Sequence, residues 1–342
     1  MKTVHSEKHR LHAAREEYIR GKWVPSFEMP RRAELVLEEV KARGLGPVLE
    51  PRDFGTEPLL RVHDPDFIGF LSSIWDRWSA ENGEIPGFPN TWRPPRSSNA
   101  PTNRPGAEMG RFCIDMSSPI LAGTWEAATS AANSALEGAT LIRGGERGAF
   151  ALCRPPGHHA GRDYYGGYCF LNNAAIAAQS FLDAGHRKVA VLDVDYHHGN
   201  GTQDIFYGRD DVMTVSIHAD PAHEYPYYCG HADETGEGAG LGMNVNLPLP
   251  LGSDWRAYGP SLDQAVERLV SFGADAVVVS LGVDTFGGDP ISKFKLVSED
   301  YSAMGAAIAA SGLPTLFVME GGYAVADIGI NTVNVLAGFD GA

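Results

Sequence analysis

Residues 188–202, KVAVLDVDYHHGNGT, carry the pattern on which the fold turns: a short β-branched run that stops abruptly at aspartates and histidines. The run, 188–192, is too short for a helix and does not alternate, as expected of a strand buried on both faces. Four more runs have the same form. Segment 148–152 leads into Cys153-Arg154-Pro155-Pro156-Gly157-His158-His159, and 212–217 into His218-Ala219-Asp220-Pro221. Segment 275–281 leads into Gly282-Val283-Asp284-Thr285, and 315–319 into Glu320-Gly321-Gly322-Tyr323. Helical patterns at 124–142, 172–184, 261–272 and 298–310 lie among them, with Asn172 in a capping position and Gly144, Gly185, Gly273 and Gly312 as stops. Strands alternating with helices predict an α/β fold: a single-domain, doubly wound, mainly parallel sheet with helices on both faces. Right-handed crossovers then gather the C-terminal strand ends on one rim, where open α/β sheets bind ligands.

Composition limits the function. The chain has 342 residues, 43% of them hydrophobic, enough for a sizeable core. Basic residues number 28 against 43 acidic ones, a net charge of −15 that repels nucleic acid and favours cationic partners. Four cysteines (Cys113, Cys153, Cys169 and Cys229) are too few for a disulfide scaffold, and no run has the length of a membrane span. The start of the chain is charged rather than apolar, so the expectation is a cytoplasmic protein without membrane or nucleic-acid partners. Segment 81–118, rich in Pro, Asn, Arg and Gly, lacks periodicity and reads as a long functional loop.

Asp195 and His197 stand two residues apart just past a strand, a spacing at which extended backbone directs both side chains to one face. Asp284 leaves the matching end of another strand. Two carboxylates and one imidazole form an O/O/N set with an open position, as a catalytic metal requires. Asp193 lies one pleat behind, placed to orient an imidazole. His158 and His159 can act as proton acceptor and donor near neutrality, with Asp193 and Asn200 available to set their tautomers. Tyr323, behind two glycines, can donate to a developing oxyanion. Tyr168 and Tyr225 offer aromatic walls.

Together the motifs at 154–159, 166–170, 193–202, 282–284 and 320–323, with 5–9, 30–32 and 123–125, resemble the arginase–deacetylase fold. More narrowly, they resemble the zinc-dependent histone deacetylase family, and within it the bacterial branch acting on acetylpolyamines. The resemblance implies that Asp195, His197 and Asp284 bind one Zn²⁺, although such ligands suit Fe²⁺ as well. It implies that His159 is the general base, that His158 is its electrostatic or acid partner, and that Tyr323 polarises the amide carbonyl. Tyr168 and Tyr225 would flank the substrate chain while the Gly167 carbonyl holds its amide N–H. Tyr225 stands where many relatives have Phe, and Asn200 where some have Asp. The backbone carbonyls of Asp193, Asp195 and His197, with Ser216, would form a K⁺ site, and Arg32 would line an acetate exit channel. Residues 1–342 would make one catalytic domain whose 81–118 insertion narrows the active-site mouth and builds a homodimer. Gly106 and Ser117 occupy places where polyamine-acting relatives carry acidic residues, leaving Glu108 and Asp115 as nearby acids.

The implied reaction is hydrolysis of the acetyl amide of a small, cationic acetylated amine. The alternatives are a protein acetyl-lysine deacetylase, an arginase-type ureohydrolase, and a catalytically inactive acyl-binding module. A binuclear ureohydrolase site needs carboxylates where Gly199 and Phe286 stand. An inactive module would have lost a ligand or the tyrosine, and every such position is filled.

Overall fold

The computed structural model describes residues 1–342 apart from Arg20, Asn99 and Pro101. Eight strands form one sheet: β1 (Lys2–Val4), β4 (Val48–Leu49), β5 (Gly148–Ala151), β6 (Val189–Asp193), β7 (Val212–Ala219), β8 (Asn244–Leu249), β9 (Ala276–Leu281) and β10 (Thr315–Met319). Their order is β4-β1-β5-β10-β9-β6-β7-β8, and every pairing is parallel. β2 (Glu16–Ile19) and β3 (Lys22–Pro25) form a separate antiparallel hairpin.

The helices are α1 (Arg31–Ala42), α2 (Glu57–Leu60), α3 (Pro65–Asn82), α4 (Pro105–Phe112), α5 (Thr124–Arg143), α6 (Asn173–Asp183), α7 (Asn200–Phe206), α8 (Trp255–Phe272), α9 (Asp300–Ala309) and α10 (Ile328–Asp340). The strands lack alternation because both faces are covered. On β6, Val189 and Val191 join the core beneath α3, α5 and α6. Ala190 and Leu192 join the opposite core with α1, α8, α9 and α10. β10 divides likewise, Leu316 and Val318 to one side and Phe317 and Met319 to the other.

The order of the strands places the site. The chain lays β1, β4 and β5 on one side and β6, β7 and β8 on the other, then returns β9 and β10 to fill the gap between β5 and β6. The four central strands therefore end beside one another at the point where the direction of winding changes, and their loops carry the motifs at 153–159, 193–200, 282–285 and 320–323.

Several elements depart from the sequence expectation. The segment 81–118 is not loop throughout, since it contains α4 and begins inside the last turn of α3. α8 starts at Trp255 rather than at 261, because the Asp254 side chain caps it and Pro260 sits inside the helix. Asn172 does cap α6, accepting from the Ala175 amide at 2.9 Å. All four cysteines are free. Among the described residues, no helix is long and apolar enough to cross a membrane.

Phe317 sits at the middle of β10, fully buried, with its ring edge-on to Phe339 at 5.1 Å. Phe317→Ala should lower the unfolding free energy by about 3–5 kcal/mol. Equilibrium denaturant unfolding checks this; a loss below 1 kcal/mol would mean that this layer does not hold the sheet.

Candidate active site

β6 ends at Asp193, so Asp195 and His197 lie in a bend beyond it and not on extended backbone. They converge because the chain folds back on itself: the His197 amide donates to Asp195 Oδ1 at 2.9 Å, and the Asp195 amide to Asp193 Oδ1 at 3.1 Å. Asp284 arrives from the end of β9. One donor atom each from Asp195, His197 and Asp284 falls within 4.8 Å of the others. His197 Nδ1 faces both carboxylates, at 3.0 Å from Asp284 Oδ2 and 3.3 Å from Asp195 Oδ1.

Backbone amides hold the acids from behind. Tyr196 N–H donates to Asp284 Oδ1 at 2.8 Å and Gly321 N–H to Asp195 Oδ2 at 2.9 Å. Gly282 and Gly321 leave room for the carboxylates; a Cβ on Gly282 would stand 1.9 Å from Asp195 Oδ2, and one on Gly321 2.5 Å from both acids. Two buried tyrosines pin the ligand loops. Tyr258 of α8 donates to the Val194 carbonyl at 3.0 Å, and Tyr301 of α9 to the Val283 carbonyl at 3.0 Å. Each fixes the residue just before one of the two aspartates, Asp195 or Asp284. Neither was singled out in the sequence, because both lie far along the chain from the loops they hold.

Both acids are inaccessible to solvent. Burial, then the neighbouring Asp195 carboxylate, push Asp284 up to about 7 against the pull of His197. Burial works against ionised Asp195 too, but the charges on His158 and His197 prevail and hold it below the usual carboxylate range. Desolvating an ion costs several kcal/mol, so two acids in one dry place call for a cation. An O/O/N set held by outer hydrogen bonds, with glycines clearing its approach, fits a single divalent ion.

The histidine pair stands beside this set, with ring centroids 3.9 Å apart. His158 Nδ1 meets Asp193 Oδ2 at 2.9 Å, and His159 Nδ1 meets Asn200 Oδ1 at 2.7 Å. Burial lowers His158, but Asp193, Asp195 and Glu320 outweigh it and raise its pKa to about 10. His159 faces a neutral amide, and burial followed by the charges on His158 and His197 drives it well below 6.5. One ring is thus a cation and its neighbour a free base. Glu320 accepts from the amides of Gly157 at 2.6 Å and His158 at 3.1 Å, tying the diproline turn to the Tyr323 loop.

Tyr323 lines the same cleft as His159 and His197. Burial pushes its phenol well above 10, so it remains an O–H donor. Asp289, a residue outside the sequence motifs, accepts from its amide at 2.7 Å. Arg32 lies 4.6 Å from its ring and donates to the carbonyls of Gly322 and Glu320, both at 2.6 Å, and to Glu28 at 2.9 Å. Arg32 therefore buttresses the tyrosine loop.

The cleft encloses about 500 Å³. Gly167, Tyr168 and Tyr225 line it, the Tyr225 ring edge-on to His159 at 4.9 Å. Tyr168 has φ +67°, rare for a side chain that is not glycine, and such strain is common where a site needs it. The Ser118 hydroxyl holds it there, accepting from its amide at 2.8 Å. Segment 81–118 reaches this cleft through Asp115, Met116 and Ser117. Asp115 Oδ2 accepts from the Gly167 amide at 2.7 Å and from the Tyr225 hydroxyl at 2.9 Å. Glu108 is outside the lining and pairs with Arg77, and Gly106 packs on Asn90. Of the two neighbouring acids, Asp115 is the one at the site.

The chain belongs to the histone deacetylase family: residues 26–339 match the histone deacetylase domain. Within the family, the chain is 57% identical over 346 residues to acetylpolyamine amidohydrolase 1 of Pseudomonas aeruginosa and 55% identical over 341 residues to acetylpolyamine amidohydrolase 2 of the same organism. Those alignments cover all of this chain and 99% of each relative. A crystal structure of acetylpolyamine aminohydrolase from Burkholderia pseudomallei matches with a TM-score of 0.94 at 42% identity, over 99% of this chain and 98% of that one.

Gly321→Ala should leave the fold intact and weaken divalent-ion retention by about 10–100-fold, because the methyl displaces both acids. Metal analysis after graded chelation, with circular dichroism as the control, checks it; unchanged retention would remove the glycine from the site's construction.

Proposed function

We propose that the protein hydrolyses the acetyl amide of acetylated polyamines, releasing acetate and the free amine. What carries this reading is the cleft itself, lined by Tyr168 and Tyr225 together with His159, His197 and Tyr323, with Asp195 and Asp284 gathered behind His197. The names of the full-length relatives support the substrate class. The acidic surplus of the chain favours a cationic ligand over nucleic acid.

Asp195, His197 and Asp284 would hold one Zn²⁺, which supplies Lewis acidity toward the substrate carbonyl and an attacking water. His159, neutral and aligned by Asn200, takes the proton of that water as it adds to the carbonyl carbon. Tyr323 donates a hydrogen bond to the carbonyl oxygen as it gains negative charge. His158, charged and paired with Asp193, steadies that charge and supplies the proton with which the C–N bond breaks and the amine departs. Tyr168 and Tyr225 exclude water along the alkyl chain, and the Gly167 carbonyl accepts the amide N–H.

The finer assignments follow from the same reading. The carbonyls of Asp193, Asp195 and His197 with Ser216 form a K⁺ site behind the catalytic ion. Segment 81–118 narrows the mouth and joins two copies in a homodimer, a reading supported by the exposed Trp23, Ile85 and Trp92. The four free cysteines fit a reducing cytoplasm.

Acetylputrescine should exceed an acetyl-lysine peptide in kcat/KM by roughly 10-fold or more, a margin within reach of a shaped pocket. A preference for the peptide would replace the proposed substrate by a protein one.

The acid limb of the pH profile reports His159, which must be neutral to accept a proton. Because its pKa is held well below 6.5, activity should fall only well below that pH. Asn200→Asp places a negative charge on Nδ1, favours the imidazolium and should move this limb up by about one pH unit. A kcat/KM profile with an unmoved acid limb would take the base role away from His159.

A further inference from the structure

Where β1 runs out, a second group of metal-type donors stands apart from the residues lining the cleft. His5 follows the strand directly, its amide donating to the Leu49 carbonyl at 2.9 Å. Ser6 then caps a 3-10 turn, Glu7–Leu11, which returns His9 beneath His5. The two rings lie 5.1 Å apart, and the residues are 5% and 3% exposed. Both ring nitrogens of His9 are buried without a hydrogen-bond partner among the described residues. A buried polar atom without a partner is costly. Core packing gives no reason for two polar rings to be placed together in this way. An opening of about 200 Å³ between this turn and α1 leads to them.

We infer that His5, Glu7 and His9 form a second site for a divalent transition-metal ion, bound by two imidazoles and one carboxylate with water completing the shell. One donor atom of each lies within 4.8 Å of the others. A tetrahedral ion with bonds near 2.1 Å needs donors about 3.4 Å apart, so one ligand must close in. Glu7 is the one able to do so: its side chain is 62% exposed, and its Oε1 already stands 3.6 Å from His5 Nε2.

Arg10 holds Glu7 Oε2 at 3.2 Å and also Glu34 at 3.1 Å, so Glu7 can turn inward without leaving Arg10 unpaired. The field is mixed, with Lys41, Arg10 and Arg154 opposed by Glu7, Glu28, Glu34 and Glu38. That balance makes the site weaker than the fully buried set at Asp195, His197 and Asp284, and selective for ions that favour imidazole, such as Zn²⁺ and Ni²⁺, over Mg²⁺ and Ca²⁺.

Zn²⁺ itself is the probe. The full chain equilibrated with excess Zn²⁺ should bind one equivalent more than His5→Phe, which keeps the ring volume, and than Glu7→Gln, which alters only an exposed side chain. Both variants should retain their deacetylase activity within about 2-fold. Crystals of the zinc-loaded wild type should show anomalous density between His5 and His9. Equal zinc in wild type and both variants, or no anomalous density at that place, overturns the assignment. Because the readout is a difference between wild type and variants, it does not depend on what occupies the cleft.

Discussion

Two carboxylates with no solvent access, Asp195 and Asp284, share one imidazole at the centre of the rim. Their mutual repulsion and lost hydration are the largest unfavourable terms in this region. The surrounding structure is arranged to meet them. Amides of Tyr196, His197 and Gly321 point at the oxygens, and the glycines at 282 and 321 leave the volume the acids occupy. Tyr258 and Tyr301 fix the backbone immediately before each acid. The charged His158 stands behind them, itself held by Asp193. The acids are thus desolvated and aligned together, an arrangement that suits a divalent cation.

The same surplus of negative charge sets the two histidines apart. Their rings are in contact and equally buried, yet His158 is raised and His159 lowered. The difference lies in their partners, a carboxylate for one and an amide for the other. An aspartate at 200 would bring the two values together.

Much of this arrangement was legible in the sequence because each polar motif is local to one strand end. An apolar run followed at once by Asp, His or Glu encodes both the strand and the placement of the polar group. What was illegible lacked such local coupling. β1 and β4 are three and two residues long, too short to show any period, and β8 carries a proline and half-exposed positions. The hairpin β2–β3, with its exposed Trp23, has no pattern that separates it from loop. Extended geometry was the wrong picture for Asp195 and His197, whose convergence depends on hydrogen bonds in a bend. Tyr258, Tyr301 and Asp289 serve residues tens of positions away or in other loops, and no spacing rule reaches that far.

Asp115 shows what such a long-range contact does to function. The hydroxyl that distinguishes Tyr225 from phenylalanine spends its proton on Asp115 Oδ2, 110 residues away in sequence. The same oxygen accepts from Gly167, while Oδ1 accepts from the amide and hydroxyl of Ser117, both at 2.9 Å. A carboxylate offers about four lone-pair directions, and all are taken. Asp115 thus welds segment 81–118 to both walls of the channel, and toward a cationic amine it contributes charge without a free hydrogen-bond acceptor. Glu224, one residue before Tyr225, is the other acid that lines the cleft.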